Sequence, residues 1–249
     1  MNTLYSIKNK LSKYNDEVVV AFDSRNYWRR DLFPLYKKHR EKEHEKSDFD
    51  WDVFFECMNQ LKIEFKENLP FKILEIDKAE ADDIIAVLCQ EYGMKRDICI
   101  SSSDKDFLQL QTDDNLVVQY SPWHKGFRDR KKVEYDLFTH IVKGDKDDNV
   151  PNILSDDDVY LDETKRSKPI QVKKLDVWRE YATVPEYFCE SIEILQKYER
   201  NKQLVDLSMI PEDIRASVLE AYHNTQPIKG KFFHYCAKHR LVKIMERYL

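Results

Sequence analysis

The chain has 249 residues, of which 42 % are hydrophobic and 35 % charged, so it is long enough for one large or two small domains with a buried core. Its four glycines argue against a glycine-rich phosphate loop, and no apolar run approaches the ~20 residues that a membrane span needs. The net charge of −5, from 41 basic and 46 acidic residues, does not by itself indicate a nucleic-acid partner, although segregated charges would still allow a basic surface.

The cysteines and the amino-terminal sequence both predict a cytoplasmic protein. The cysteines are odd in number and widely spaced, and they form no CxxC pair. That usage is typical of reduced cytosolic thiols and not of a disulfide or zinc framework. The first residues have no apolar segment of the kind that a signal peptide contains. The cysteines are Cys57, Cys89, Cys99, Cys189 and Cys236.

The first part of the chain alternates helical and extended patterns. Leu4, Ile7 and Leu11 recur at helical spacing, which predicts a helix over residues 3–14. Residues 18–22 are a wholly apolar run of the type that is buried on both faces of a parallel sheet. The remaining signals here are a charge-rich helical segment over 28–46 and an amphipathic helix over 50–66.

The same alternation continues to about residue 143. Strands are predicted over 72–76, 98–101 and 115–120, and helices over 80–92, ending at Gly93, and over 104–111. Strands that alternate with helices predict an α/β fold with a mostly parallel sheet flanked by helices.

Beyond residue 143 the strand signals stop. Residues 144–170 are loop-rich and strongly charged, and the rest is helical with breaks near Pro185, Pro211 and Pro227. We therefore expect two domains, an α/β domain over 1–143 and an all-helical domain over 144–249.

Acidic side chains follow three of the predicted strands. Because ligand sites of open α/β sheets lie at the carboxyl ends of the strands, these acids are expected to converge. Two like charges about 4 Å apart repel by roughly 4 kcal/mol near a protein surface, so convergent carboxylates call for divalent cations, and oxygen-only sites suit Mg²⁺ or Mn²⁺. The alternative is that each acid only caps a helix, which gains about 0.3–1 kcal/mol. The acids are Asp23, Glu80, Asp82, Asp83, Asp104 and Asp106.

A further acidic run, with Asp145, Asp147 and Asp148, lies just after the predicted α/β domain. It resembles the start of an EF-hand loop, but Val150 stands where that loop requires glycine. Asp156 also stands where the bidentate glutamate belongs, so the calcium-loop interpretation is rejected.

Basic and aromatic residues are interleaved between Tyr27 and Arg40. This pattern suits a strand of nucleic acid, because the charges follow phosphates and the rings stack on bases. The alternative is a solvated helix face, since an equally charged EKEHEK run follows directly. The candidate nucleic-acid contacts are Arg29, Arg30, Lys37, Lys38 and Arg40.

A serine nucleophile is not indicated. The run Ser101–Ser103 lacks a GxSxG turn and has no evident histidine base. We expect His44, His124 and His234 to lie at the surface.

Several of these motifs, in order, resemble one nuclease family. They are YWRRD, YKKHR, DKAEADD, SSDKDF, QYSPWHK and KGDKDDNV. Together they are similar to the 5′-nuclease (flap endonuclease) superfamily, in particular its ribonuclease H (5′→3′ exonuclease) branch from T-even-type phages. The resemblance covers essentially the whole chain and implies a 5′-nuclease or PIN-like core followed by a helical DNA-binding domain with a helix–turn–helix-like element.

The resemblance also implies a two-metal site that uses Mg²⁺ or Mn²⁺. Residues 28–46 would form an arch for a 5′ single strand, with Lys37 at the scissile phosphate and Arg29 and Arg30 as further phosphate contacts. By motif, Asp23, Glu80, Asp82 and Asp104 would hold one metal, and Asp106, Asp145 and Asp148, with Asp83 nearby, the other.

The implied activity is that of a 5′→3′ exonuclease and flap endonuclease with ribonuclease H activity, which removes RNA primers and 5′ ends during phage DNA replication in the host cytoplasm. The implied substrates are duplex DNA, RNA–DNA hybrids and 5′ flaps, and the implied protein partners are a single-stranded-DNA-binding protein and a sliding clamp.

One departure from the family pattern sets up the alternative. Residues 1–16 match only the helix that follows the family's first strand, so the resemblance implies that this strand and its metal-bridging aspartate are lacking. The alternative function is therefore a truncated, inactive or partner-dependent DNA-binding fragment of such a nuclease.

Overall fold

The computed structural model describes residues 2–14, 17–132, 135–228 and 230–245. Within them the chain forms two compact units that are interleaved along the sequence. Unit 1 comprises residues 1–25, 50–134 and 212–249, and unit 2 comprises residues 26–49 and 135–211.

The described strands all precede residue 129, with helices between most of them, and beyond that residue the helices follow one another. They are α1 (Asn2–Lys10), α2 (Trp28–Leu32), α3 (His39–Lys46), α4 (Trp51–Asn68), α5 (Ala81–Tyr92), α6 (Leu137–Lys143), α7 (Val172–Arg179), α8 (Ile192–Val205), α9 (Glu212–Asn224), α10 (Phe232–Lys238) and α11 (Val242–Met245).

The strands of unit 1 pair in a mostly parallel manner, which confirms the predicted fold class. Strand β1 (Val19–Phe22) runs parallel to β2 (Lys72–Glu75). Strand β3 (Ile98–Ser101) runs parallel to β4 (Val117–Ser121), and β5 (Gly126–Arg128) is antiparallel to β4. The described strands form these two small sheets, and not the single sheet that the alternation suggested.

Unit 1 has an apolar core beneath the β1–β2 sheet. Phe65 of α4, Ile73 of β2 and Tyr235 and Cys236 of α10 belong to it and are all less than a tenth exposed. Asp50 caps helix α4, because its side chain accepts a hydrogen bond from the Val53 amide in the first turn. This core fixes β1, and with it the position where the chain reaches Asp23.

Unit 2 has a separate, aromatic-rich core. Trp178 of α7 and Phe188 stack with ring centroids 5.3 Å apart, and Tyr198 of α8 meets Phe188 edge to face at 5.4 Å. Val142 and Val150 are fully buried in the same core. They lie on either side of the acidic run GDKDDN, residues 144–149 (the GDKDDN motif). The motif is thereby fixed at both ends.

Gly144 is required at the turn between α6 and that motif. Its φ is +68°, and a Cβ atom there would lie 2.3 Å from the Val150 carbonyl oxygen. Only glycine fits such a position without moving backbone.

Two predicted helices are shorter than expected. The helical signal over 28–46 is broken between α2 and α3, where Pro34 lies and where Lys37 has a φ of +56°. Residues Asp106–Leu110 form a 3₁₀ turn instead of the α-helix expected over 104–111.

Two other expectations can be compared directly with the structure. All five cysteines are free, as predicted, and burial raises the pKa of the Cys89 thiol to about 12. No helix in the described part of the chain is long and apolar enough to cross a membrane.

Candidate functional site

The amino end of α5 gathers acidic side chains of unit 1. Glu80 and Asp83 form a capping box, in which the Glu80 amide donates to Asp83 Oδ2 at 2.9 Å. Asp23, which follows β1, accepts a hydrogen bond from the Ala81 amide at 2.7 Å. The structure therefore brings Asp23 to the helix that carries Asp82 and Asp83. Unpaired amides and the helix dipole favour negative charge at this end.

Helix capping and ligand binding, the two roles predicted for these acids, fall on different residues. Glu80 and Asp83 are only 2 % and 0 % exposed and perform the capping that the simpler interpretation required. Asp23 is exposed and Asp82 half-buried, so these two present surface to a ligand.

Asp104 and Asp106 lie on the loop after β3. The Asp106 amide donates to Asp104 Oδ1 at 2.9 Å, which closes a tight turn. Fully buried Gln119 of β4 holds this loop, because its Nε2 donates to the carbonyls of Ser102 and Asp104 at 2.9 and 2.5 Å. Neither sequence spacing nor motif had indicated a role for Gln119.

Among the described residues of unit 1, no three carboxylates place oxygens within 4.8 Å of one another. The acids that follow β1 and β3 and those that open α5 therefore form no closed ligand set among the described residues of this unit.

In unit 2, Asp148 contacts side chains of the basic segment, the interleaved basic and aromatic residues 27–40. Its carboxylate accepts from Tyr36 Oη at 2.9 Å and pairs with Arg40 Nη2 at 3.0 Å and Lys37 Nζ at 3.5 Å. The Lys37 amide also donates to the Asp148 carbonyl at 2.9 Å. The structure thus brings together the predicted nucleic-acid contacts and one acid of the GDKDDN motif.

Asp145 has a different partner, which the sequence did not reveal. His140 of α6 lies 2.9 Å from it, between Nε2 and Oδ2, and both side chains are largely buried. A histidine in the last turn of the helix that leads into an acidic loop is the signal that would have identified this pair.

The predicted basic contacts differ in exposure. Arg29 is 2 % exposed, donates through Nε to the Leu204 carbonyl at 2.9 Å and lies over the Trp28 ring. Lys37 is 8 % exposed, and Arg30 pairs with Glu41 at 3.2 Å. Lys38 and Arg40 are exposed, so they offer more surface to a phosphate than Arg29 or Lys37 does.

Comparison with protein families identifies the chain. Residues 1–138 match the model of the 5′–3′ exonuclease N-terminal resolvase-like domain, and residues 131–248 match that of the T4 RNase H C-terminal domain. The chain is 34 % identical to the ribonuclease H of Enterobacteria phage T4 over 251 residues, which cover 96 % of this chain and 81 % of that protein. The chain belongs to the 5′–3′ exonuclease family.

Bacterial members of this family are similar over a shorter part of the chain. The 5′–3′ exonuclease of Aquifex aeolicus is 30 % identical over 157 residues, which cover 59 % of this chain and 50 % of that protein. The predicted membership of a nuclease superfamily, with its phage ribonuclease H branch, is confirmed.

Solved structures agree with this family fold. A bacteriophage T5 5′-exonuclease with bound zinc matches with a TM-score of 0.65 and 18 % identity over 90 % of each chain. A bacteriophage T5 flap endonuclease complexed with DNA and metal ions matches with a TM-score of 0.65 and 19 % identity, over 90 % of this chain and 89 % of that one. Because both sequence identities are below 20 %, the two matches show that this chain shares the fold of these enzymes.

Proposed function

We propose that this family member is a divalent-metal-dependent 5′→3′ exonuclease and flap endonuclease with ribonuclease H activity. Its role would be to remove RNA primers and 5′ ends during phage DNA replication in the host cytoplasm. The substrates would be duplex DNA, RNA–DNA hybrids and 5′ flaps.

The observation that carries the proposal is the position of acids after β1 and β3 and at the start of α5. Asp23 reaches the first turn of α5 through the Ala81 amide, and Gln119 fixes the loop of Asp104. Asp23 and Asp104 are both exposed, so their carboxylates are accessible to a cation.

The donor set fits Mg²⁺, with Mn²⁺ as a substitute, because every candidate ligand is a hard carboxylate oxygen. The family resemblance implies two ions, and Asp23, Glu80, Asp82 and Asp104 would hold one of them. Such an ion lowers the pKa of a bound water and stabilises charge on a phosphate oxygen. The surrounding chain supplies the orientation, since the capping box fixes Glu80 and the Gln119 hydrogen bonds fix the Asp104 loop.

Unit 2 would supply contacts to the sugar–phosphate backbone. Lys38 and Arg40 are exposed beside the GDKDDN motif, and phosphate contacts carry most of the affinity of such proteins. Lys37, Arg29 and Arg30 remain proposed contacts of the 5′ strand. We also propose a single-stranded-DNA-binding protein and a sliding clamp as partners.

Metal binding provides the direct test. Titration calorimetry with Mn²⁺ should show binding to the wild type that Asp104→Asn weakens at least about tenfold, because a ligand is lost. Asp97→Asn is the matched control, since Asp97 is exposed at the opposite end of the same strand. Equal titrations for wild type and Asp104→Asn would contradict the metal site.

The alternative is a chain that binds DNA but does not cleave it without a partner. It is favoured by the lack of a closed carboxylate set among the described residues of unit 1. Incubation of a labelled 5′ flap with the purified chain and Mg²⁺ separates the two. Cleavage that EDTA abolishes supports the nuclease, and binding without cleavage supports the alternative.

A further inference from the structure

The hairpin between β4 and β5 carries a highly exposed aromatic ring. Trp123 lies in the turn Ser121–Gly126 and is 83 % exposed. A tryptophan ring removes a large apolar surface from water when it packs against a partner, so an exposed indole is well suited to a binding contact.

The backbone of this turn is held firmly. The Trp123 amide donates to Ser103 Oγ at 3.1 Å, and Ser103 Oγ lies 2.9 Å from the hydroxyl of fully buried Ser121. Ser121 in turn bonds to His124 Nδ1 at 2.9 Å. The ring is therefore presented by an ordered turn whose hydrogen bonds are internal to unit 1.

These bonds also join the hairpin to the acidic loop. Ser103 directly precedes Asp104, and Arg128 of β5 donates to the Ser103 carbonyl at 3.0 Å. Gln119 of β4 holds the carbonyls on either side of Ser103. The turn that presents Trp123 and the loop that carries Asp104 are consequently parts of one hydrogen-bonded substructure.

The charge around the ring is positive in an acidic protein. Residues 123–132 contain five basic residues and one acid, whereas the whole chain has a net charge of −5. Phe127 in the same hairpin is 58 % exposed. Interleaved aromatic and basic residues are typical of surfaces that bind single-stranded nucleic acid.

We propose that Trp123 is a stacking platform for an unpaired nucleobase of single-stranded nucleic acid, placed beside the Asp104 loop. This rests on the proposed nuclease function and adds a binding site to it. The basic side chains of the hairpin would contact the phosphates. The indole would stack on the nucleobase whatever its identity. A protein partner is the less favoured occupant, because the sequence that follows the ring is basic and the turn is hydrogen-bonded to Ser103, which directly precedes Asp104.

Fluorescence of an oligothymidylate that carries one 2-aminopurine base tests stacking without catalysis. In EDTA, the wild-type protein should quench the 2-aminopurine on binding. Trp123→Ala should lose the quenching and bind about tenfold more weakly, the loss that removal of one base-stacking ring produces. Trp123→Phe should restore most of both signals.

Two further variants separate stacking from other effects. Lys125→Ala should retain the quenching and reduce the salt dependence of binding by about one ion. Met94→Ala, which truncates an exposed apolar side chain elsewhere in unit 1, should match the wild type. Quenching and affinity unchanged in Trp123→Ala would overturn the proposal.

A parallel cleavage assay distinguishes failure of this inference from failure of the proposed function. If the wild type cleaves a 5′ flap with Mg²⁺ and Trp123→Ala cleaves at the same positions with the same KM, the stacking site is wrong while the nuclease stands. If the wild type neither binds nor cleaves, the proposed function itself is wrong. A KM raised in Trp123→Ala and recovered in Trp123→Phe supports the stacking site.

Discussion

Asn149 shows at the scale of one residue how the acidic motif and the basic segment are joined. Its side chain is fully buried and donates through Nδ2 to the Leu35 carbonyl at 2.8 Å. Its φ is +60°, in the left-handed region that asparagine tolerates better than most residues. The residue therefore supplies a hydrogen-bond donor to a backbone carbonyl, and it also tolerates the positive φ that this turn requires.

Replacement of Asn149 should accordingly destabilise the fold. Asn149→Ala removes the donor from a buried acceptor and puts an unsuited residue at positive φ, so the free energy of unfolding should fall by about 2 kcal/mol or more. Urea unfolding followed by circular dichroism measures it. Asp147→Ala, an exposed change in the same loop, should cost less than about 0.5 kcal/mol. Similar costs for the two variants would show that Asn149 is not an anchor.

At the scale of elements, a side-chain hydrogen bond ties α10 to α4. Tyr235 Oη donates to Glu64 Oε2 at 2.7 Å, and Tyr235 itself is buried in the core of unit 1. Chiefly because of this bond, and also because Gln60 donates to the same side chain, the pKa of Glu64 lies below its ordinary value of 4.5. The bond thus favours the ionised carboxylate in the folded state.

The contribution of that bond should depend on pH. A lowered carboxyl pKa stabilises the fold above the unfolded pKa, and the stabilisation disappears as pH falls through the folded pKa. Tyr235→Phe should therefore cost about 1–2 kcal/mol near neutral pH and less near pH 3, because hydrogen bonds to charged groups are the stronger ones. Tyr187→Phe, at an exposed ring, should cost little at either pH. A cost for Tyr235→Phe that does not change with pH would contradict this account.

The elements also show how far local pattern extends. Strands β1 to β4 and helices α4 and α5 follow from apolar runs and periodicity. The expected burial is found in β2 and α5. It is not found in β1, which is half-buried throughout, or in most of α4, where Phe65 is buried while Phe54 and Phe55 are exposed. Strand β5 has three residues and no apolar run, so its pairing with β4 could not be predicted from local pattern. The break between α2 and α3 could not be predicted either. There Lys37 has a positive φ, and its amide donates a hydrogen bond to the Asp148 carbonyl, which is distant in sequence.

At the scale of the whole molecule, contacts distant in sequence determine what could not be predicted. The predicted convergence of the carboxylates after β1 and β3 assumed a single parallel sheet, whereas the described strands form two, so that convergence stays a prediction. The pairing of Asp148 with Lys37 joins residues more than a hundred positions apart, and no local pattern encodes it. The interleaving of the two units likewise differs from the sequential division at residue 143, while the two family models meet near residues 131–138.

Charge distribution is a property of the whole molecule with a direct consequence for binding. The chain has a net charge of −5, yet residues 25–46 carry eight lysines and arginines against four acids. Binding to a polyanion depends on such local surfaces, because each phosphate contact releases condensed counterions.

DNA affinity should therefore fall with salt despite the acidic net charge. A plot of log Kobs against log salt concentration for a 5′-flap DNA in EDTA should have a negative slope, and Lys38→Ala and Arg40→Ala should each make it shallower by about one. Lys95→Ala provides the matched control, because Lys95 is exposed in unit 1 and pairs with Glu91 at 3.6 Å. Fluorescence anisotropy over a salt series gives all four slopes. If Lys95→Ala changes the slope as much as Lys38→Ala and Arg40→Ala do, binding follows overall charge, and the basic segment of unit 2 is not the DNA contact surface.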